Sequence, residues 1–256
     1  MKKQFIITLI FAIAVNGLWA QEYKVNKSSG KMTINLSSVT VEGYNGSQII
    51  FSSLKKENQA DPRAAGLRII NGSGYTDNTG LGISVTEKGS VIEVNQVASS
   101  DQSIKILVPK SVILSYGFHK VISAGQVNFK NLENEIEIST DYNSVNLENV
   151  TGPVSVRALY GAVDAKFSEH IKGPVSIVSV YSAVDVTIPV STKANVNLNT
   201  THGAILASPD LKIEMKKNTD DDLVSYSSNV NGKLNGGGLD FKLTSEYGKI
   251  YLRKAK

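Results

Sequence analysis

Along residues 134–207 apolar and polar positions alternate in a pattern that repeats itself. Aligned on Tyr142, Tyr160, Tyr181 and His202, every second residue before the anchor reads Thr140, Ile138, Ile136; Ala158, Val156, Val154; Ser179, Ile177, Val175; and Thr200, Leu198, Val196. After each anchor comes a turn former, Asn143, Gly161, Ser182 or Gly203, and apolar residues resume three and five positions on. A fifth copy closes the chain with Phe241, Leu243, Ser245, Tyr247, Gly248, Ile250 and Leu252. Period-2 alternation rich in Val and Ile is the mark of strands with one buried face. Across the corner the parity shifts by one residue, so both halves face inward only if the chain bends there. Glycine at Gly161, Gly203 and Gly248, with Asn143 next best, is expected to supply that bend through positive φ.

Each unit is therefore two short strands meeting at a corner. The first four anchors lie 18, 21 and 21 residues apart, a spacing typical of stacked repeats in which no unit buries its own apolar face alone. The expected fold is all-β, a parallel β-helix-like solenoid of short strands forming a single domain over residues 21–256. An antiparallel sandwich or barrel is the alternative. If each repeat is one coil, equivalent residues stack at about 4.8 Å.

Outside the clean copies the same pattern is weaker. Residues 23–54 alternate as strands and are expected to start the solenoid and cap it. Tyr116-Gly117 and the segment at Gly125 read as degraded corners, and Pro109 and Pro189 each end a strand, because proline cannot donate to a ladder. Gly152-Pro153 and Gly173-Pro174 are expected to open coils at a second corner. Irregular loops are expected near residues 55–66, 71–82 and 208–238, and the final copy is expected to form an exposed last coil shielded by its charged tail.

Residues 1–20 carry Lys2 and Lys3, an apolar run and a small-residue end at Ala20, the plan of a secretory signal peptide. No other stretch is long and apolar enough to span a membrane. The chain holds 27 Lys and Arg and 23 Asp and Glu; residues 1–20 hold two of the lysines and no acid, so the remainder carries 25 − 23 = +2. With no basic block, nucleic acid is not an expected partner. There is no cysteine, hence no disulfide and no lipid on a cysteine.

Two rows of side chains are candidates for ligand contact. Tyr142, Tyr160 and Tyr181 (with His202) form a ladder if their coils stack, which facing outward could take sugar rings; their parity, however, matches the buried positions and favours a stack packed at the core edge. Asp164 and Asp185 share one template position on consecutive coils, at a separation of about 5 Å that suits a retaining glycosidase pair or a cation. Both are expected to point outward, screened by Lys166 and Arg157. His119, His170 and His202 share no metal spacing, there is no Gly-x-Ser-x-Gly elbow, and the glycine-rich loop at 71–82 lacks the phosphate and calcium fingerprints. Asp220-Asp221-Asp222 reads as a solvated charge run. No catalytic residue, metal or cofactor is expected.

The segment Val39-x-Val41-x-Gly43-Tyr44, the central Ile106-x-Val108-Pro109-Lys110 and the recurring Ser/Thr-x-Tyr-Gly-x-Val/Ile resemble the "putative adhesin" family of exported bacterial proteins, related to the auto-transporter adhesin head group. The resemblance spans nearly all of the chain beyond residue 20. It implies a right-handed β-helix-like domain outside the cytoplasm and brings no catalytic residues with it. Many members carry Gly-Asp at the corner; the corners here are less acidic.

Together these features point to an exported, non-catalytic module in the periplasm, on the outer surface or outside a Gram-negative cell. It would contact a cell-surface glycan or an envelope protein through its faces. A carbohydrate-active β-helix enzyme and a structural envelope assembly protein are the alternatives.

Overall fold

The computed structural model describes residues 22–53, 62–98, 103–121, 125–215 and 228–255. The signal segment expected at residues 1–20, most of the first irregular loop and the run Asp220-Asp221-Asp222 lie outside the described residues. Among the described residues the chain forms strands and one short 3-10 turn at Pro62–Ala64.

The strands group into eight two-strand coils. The first coil is β2 (Ser29–Asn35) with β3 (Val39–Gly43), between the single strands β1 (Glu22–Val25) and β4 (Ile49–Ser53). β5 (Ile83–Lys88) leads into the second coil, β6 (Val91–Gln96) with β7 (Ile104–Val108). Three regular coils follow: β8 (Ser111–Phe118) with β9 (Gln126–Lys130), β10 (Ile136–Thr140) with β11 (Ser144–Val150), and β12 (Val154–Ala158) with β13 (Val163–Phe167). Then come β14 (Val175–Ser179) with β15 (Val184–Ile188), and β16 (Ala194–Thr200) with β17 (Ile205–Ala207). After β18 (Ile213–Met215) and β19 (Ser228–Leu234), the eighth coil is β20 (Leu239–Ser245) with β21 (Ile250–Lys254).

One strand of each coil joins each of two sheets. Their orders are β5-β6-β2-β8-β10-β12-β14-β20-β16-β19-β18 and β1-β4-β7-β3-β9-β11-β13-β15-β21-β17. Coil-to-coil pairing is parallel and in register, as in Ile138 opposite Val156 and Val163 opposite Val184. This is the β-helix-like solenoid that the repeat implied, and the antiparallel sandwich is excluded. The core lies between the sheets as columns of like residues. Leu114, Ile136, Val154, Val175, Phe241 and Val196 form one; Val127, Val145, Val163, Val184 and Ile250 form another. Each such buried side chain contributes about 1.5–3 kcal/mol.

Spatial order departs from chain order at both ends. The opening coil lies between the second and third, and the closing coil lies between β14–β15 and β16–β17. The expected exposed last coil is therefore an interior layer, and within residues 23–54 it is β1 and β4, not the first coil, that cap the stack. Antiparallel strands do the capping: β4 and β1 on β7, β5 on β6, and β19 and β18 on β16. The irregular stretch expected at 208–238 thus supplies two of the capping strands, with residues 216–227 outside the described residues.

The glycines at the corner are there for a different reason from positive φ, which none of Gly161, Gly203 and Gly248 adopts. A Cβ on Gly161 would stand 1.9 Å from the Asn143 carbonyl oxygen, one on Gly203 1.8 Å from that of Gly248, and one on Gly248 2.4 Å from that of Ser182. Neighbouring coils approach too closely there for any side chain. Positive φ occurs instead at other glycines, Gly152 of the second corner among them, and, among the described non-glycine residues, at Asn131, Asn149 and Asn235, where asparagine tolerates it.

Small residues just before the corner act as tethers. The hydroxyls of Thr140, Ser179, Ser245 and Thr200 donate to the carbonyls of Phe118, Gly161, Ser182 and Gly248 at 2.8–3.1 Å. Tyr116 is not a corner residue: it pairs in register with Ile138, is buried, and donates its hydroxyl to the Leu36 carbonyl at 2.8 Å. Pro109 and Pro189 do end β7 and β15, and the two Gly-Pro pairs precede β12 and β14, as their chemistry implied.

Gly161→Ala is expected to lower unfolding free energy by about 2 kcal/mol or more, because the methyl meets a backbone carbonyl that cannot give way. Gly72→Ala, where nothing lies within 4 Å, is the neutral control. Urea unfolding of both variants checks the contrast.

Candidate functional site

The tight corner projects one ring from each of five coils. In spatial order these are Tyr142, Tyr160, Tyr181, Tyr247 and His202, because the closing coil enters ahead of β16–β17. Successive centroids lie 5.1, 4.9, 5.2 and 4.9 Å apart, with planes within 16° of parallel. Backbone bonds continue through the corner and hold the rings in step: the amides of Tyr160, Tyr181 and Tyr247 donate to Asp141, Leu159 and Val180, and that of His202 to Glu246.

The ladder faces solvent, against the expectation from parity. Tyr160, Tyr181 and Tyr247 are 47%, 49% and 52% exposed, His202 is exposed and Tyr142 is half-buried. The buried alternation ends on the hydroxyl residues Thr140, Ser179, Thr200 and Ser245, and the bend then throws the next alternate residue outward. The stacking also occupies the ring faces. What the column offers a ligand is four phenol edges and an imidazole edge, with hydroxyls as polar handles.

Beside the ladder, on the outer face of the second sheet, Asn128, Asn146, Asp164, Asp185, Tyr251 and Leu206 form one in-register row. The sequence placed Asp164 beside Asp185 correctly. Their screening differs from expectation, since Arg157 belongs to β12 in the other sheet. The cation that matters is Arg253 of the closing coil. Its Nε donates to both Asp185 carboxylate oxygens at 2.7 and 3.0 Å and its Nη2 to one at 2.8 Å, while the guanidinium lies 5.1 Å over the Tyr251 ring. This forked pairing also raises the Arg253 pKa.

Asp164 has no such clamp. Partial desolvation first, and then the Asp185 carboxylate, hold its carboxyl above the ordinary value, opposed by Lys166 and Arg253. A retaining glycosidase needs one carboxylate free as nucleophile, and Arg253 engages the Asp185 oxygens. Further along the solenoid His119 Nδ1 lies 2.9 Å from Asp141, beside Tyr142. Among the described residues no group of three or more His, Cys, Asp or Glu is arranged to hold a metal, and no helix is long and apolar enough to cross a membrane.

Tyr247 was recognisable as a fifth anchor, but its place inside the ladder depends on layer order. Arg253 could have been found only by knowing which coil stacks on β15.

No protein-family model matches this chain, and no curated protein matches it in sequence. In fold, 93% of the chain is similar to the whole of a "putative cell adhesion protein" from Clostridium sporogenes ATCC 15579, 12% identical with a TM-score of 0.44. The same share is similar to 98% of a "putative adhesin" from Bacteroides fragilis NCTC 9343, 11% identical with a TM-score of 0.25. Likenesses this distant carry no argument about this chain.

Tyr181→Ala removes two stacked neighbours and is expected to cost about 1–3 kcal/mol, whereas Tyr181→Phe leaves the melting temperature unchanged. An acid with a raised folded-state pKa loses the fold stability as pH rises from the unfolded value, about 3.9, through the raised one. Asp164→Asn should therefore be more stable than the parent at pH 7, with the gap closing below about pH 4. Denaturant titrations at the two pH values check the sign.

Proposed function

We propose that this protein is an exported, non-catalytic binding module of the cell envelope or cell surface of a Gram-negative bacterium, holding an extended glycan along its aromatic corner. The observation that carries this reading is the solvent-facing ladder of five rings at 4.9–5.2 Å intervals. One pyranose unit is close in length to one strand spacing, about 4.8 Å, so a linear polysaccharide lying along the solenoid axis keeps step with the coils. Each sugar then meets one ring edge, with a hydroxyl beside it at every ring but His202. The adjoining Asn128, Asn146 and Asp164 supply further donors and acceptors to its flank. A repeat surface of this kind binds by extended contact rather than in a pocket.

Export rests on the signal-like residues 1–20. The carbohydrate-cleaving alternative is weakened by the Arg253 clamp on Asp185. An envelope-protein partner would use the same faces and is separated from the glycan reading by experiment.

Residues 21–256 are expected to bind a linear glycan on an array. Tyr160→Phe with Tyr181→Phe should weaken that binding about tenfold, roughly 1.4 kcal/mol, while leaving the melting temperature intact. Silence across the array, or phenylalanine variants that bind as well as the parent, would reject the glycan reading; capture of an envelope protein alone would replace it.

A further inference from the structure

The ladder carries a chemistry that does not depend on what it binds. Stacking fixes which phenol neighbours which: Tyr142 meets Tyr160, Tyr160 meets Tyr181 and Tyr181 meets Tyr247, at centroid distances of 5.1, 4.9 and 5.2 Å. Rings held face to face this closely keep their ortho carbons, the Cε atoms, within a short swing of one another. Among the described residues no other tyrosine has a tyrosine ring beside it; the rings against Tyr23 and Tyr116 are Phe51 and Phe129.

The rest of the composition directs oxidation to these rings. Residues 21–256 contain no cysteine, and the only tryptophan of the chain is Trp19. Tyrosine is therefore the side chain in that stretch that gives up a single electron most readily. The exposed Met215 takes up an oxygen atom instead. Tyr160, Tyr181 and Tyr247 are exposed, so an oxidant reaches their phenol edges, whereas Tyr116 is buried and Tyr44 donates its hydroxyl to the Gln48 carbonyl.

We propose that the aromatic corner is a site of oxidative modification, at which adjacent tyrosines are joined as dityrosine and neighbouring coils are stapled covalently. The oxidant is hydrogen peroxide acting through a peroxidase. Each phenol yields one electron and its hydroxyl proton, leaving two phenoxyl radicals. Their ortho carbons form one C–C bond, and the hydrogens on those two carbons move to the phenol oxygens and restore both aromatic rings. The two electrons and two protons released reduce one peroxide to two waters. Rotation of exposed side chains is fast and brings the ring edges to bonding distance. Each radical has its partner already in contact, so coupling within the molecule outruns coupling between molecules. Tyr160 and Tyr181 are 21 residues apart on consecutive coils. A bond between them constrains the unfolded chain as a disulfide does, in a protein with no cysteine to form one.

The test treats residues 21–256, which contain every described element, with hydrogen peroxide and a haem peroxidase. It reads dityrosine fluorescence of the monomer on a denaturing gel, intact mass and peptide mapping. The parent should give monomer that has lost two hydrogen atoms per cross-link, joined between neighbouring ladder peptides, in a yield independent of protein concentration. Two variants with equal numbers of tyrosines separate position from composition. Tyr142→Phe with Tyr247→Phe keeps Tyr160 beside Tyr181 and should still cross-link. Tyr160→Phe with Tyr247→Phe leaves no two ladder tyrosines adjacent and should lower the monomer's dityrosine about tenfold or more. Phenylalanine preserves the stack in both, and circular dichroism checks that both keep the fold. No dityrosine in the parent, equal yields from the two variants, cross-links between molecules alone, or mapping to tyrosines outside the ladder would each overturn the proposal.

Discussion

Backbone contact at the corner is the constraint on which the rest of this solenoid depends. Coils joined by in-register parallel pairing must keep one spacing through every bend. At the tight bend that spacing leaves no room for a Cβ between Gly161 and Asn143, or between Gly203 and Gly248. Once the bend is shared, much else repeats from coil to coil. The hydroxyl before it reaches the carbonyl of the neighbouring coil, the apolar columns align, and the residue two positions after that hydroxyl projects into solvent. Ring stacking is thus a consequence of backbone register: the rings fall about one strand spacing apart because their Cα atoms do. Their dispersion then adds to a geometry already set.

This explains which parts of the molecule could be read from its sequence. Five copies of one template occupy five copies of one environment, so β10 to β17, β20 and β21 were visible as alternating runs, and the prolines at 109 and 189 as strand ends. Parity carried no information about the anchors. Counting alternate residues assumes a straight strand, and the bend changes which side the next residue faces. The glycines were found by their residue type but for the wrong cause, since a chain without coordinates shows a bend and not the carbonyl pressed against it. Tyr116 imitates a corner because Tyr-Gly is common to both, yet its register with Ile138 places it inside.

The candidate site divides the same way. That Tyr142, Tyr160 and Tyr181 line up, and that Asp164 meets Asp185, follows from template position alone. The clamp of Arg253 on Asp185 does not, because it depends on which coil lies next in space. Local pattern is silent on layer order when every layer has nearly the same sequence.

The interleaved ends have a consequence in time. β16 has no parallel neighbour until β20 arrives, because β20 fills the place between β16 and β14. Layer-by-layer growth from the first residue onward therefore stops one slot short, with the seventh coil attached only to the antiparallel strand β19. The slot is filled by β20 and β21, which come later in the chain than every other coil. The closing layer works as a latch: the stack stays open at its far end until β20 and β21 enter between β14–β15 and β16–β17, and then shuts.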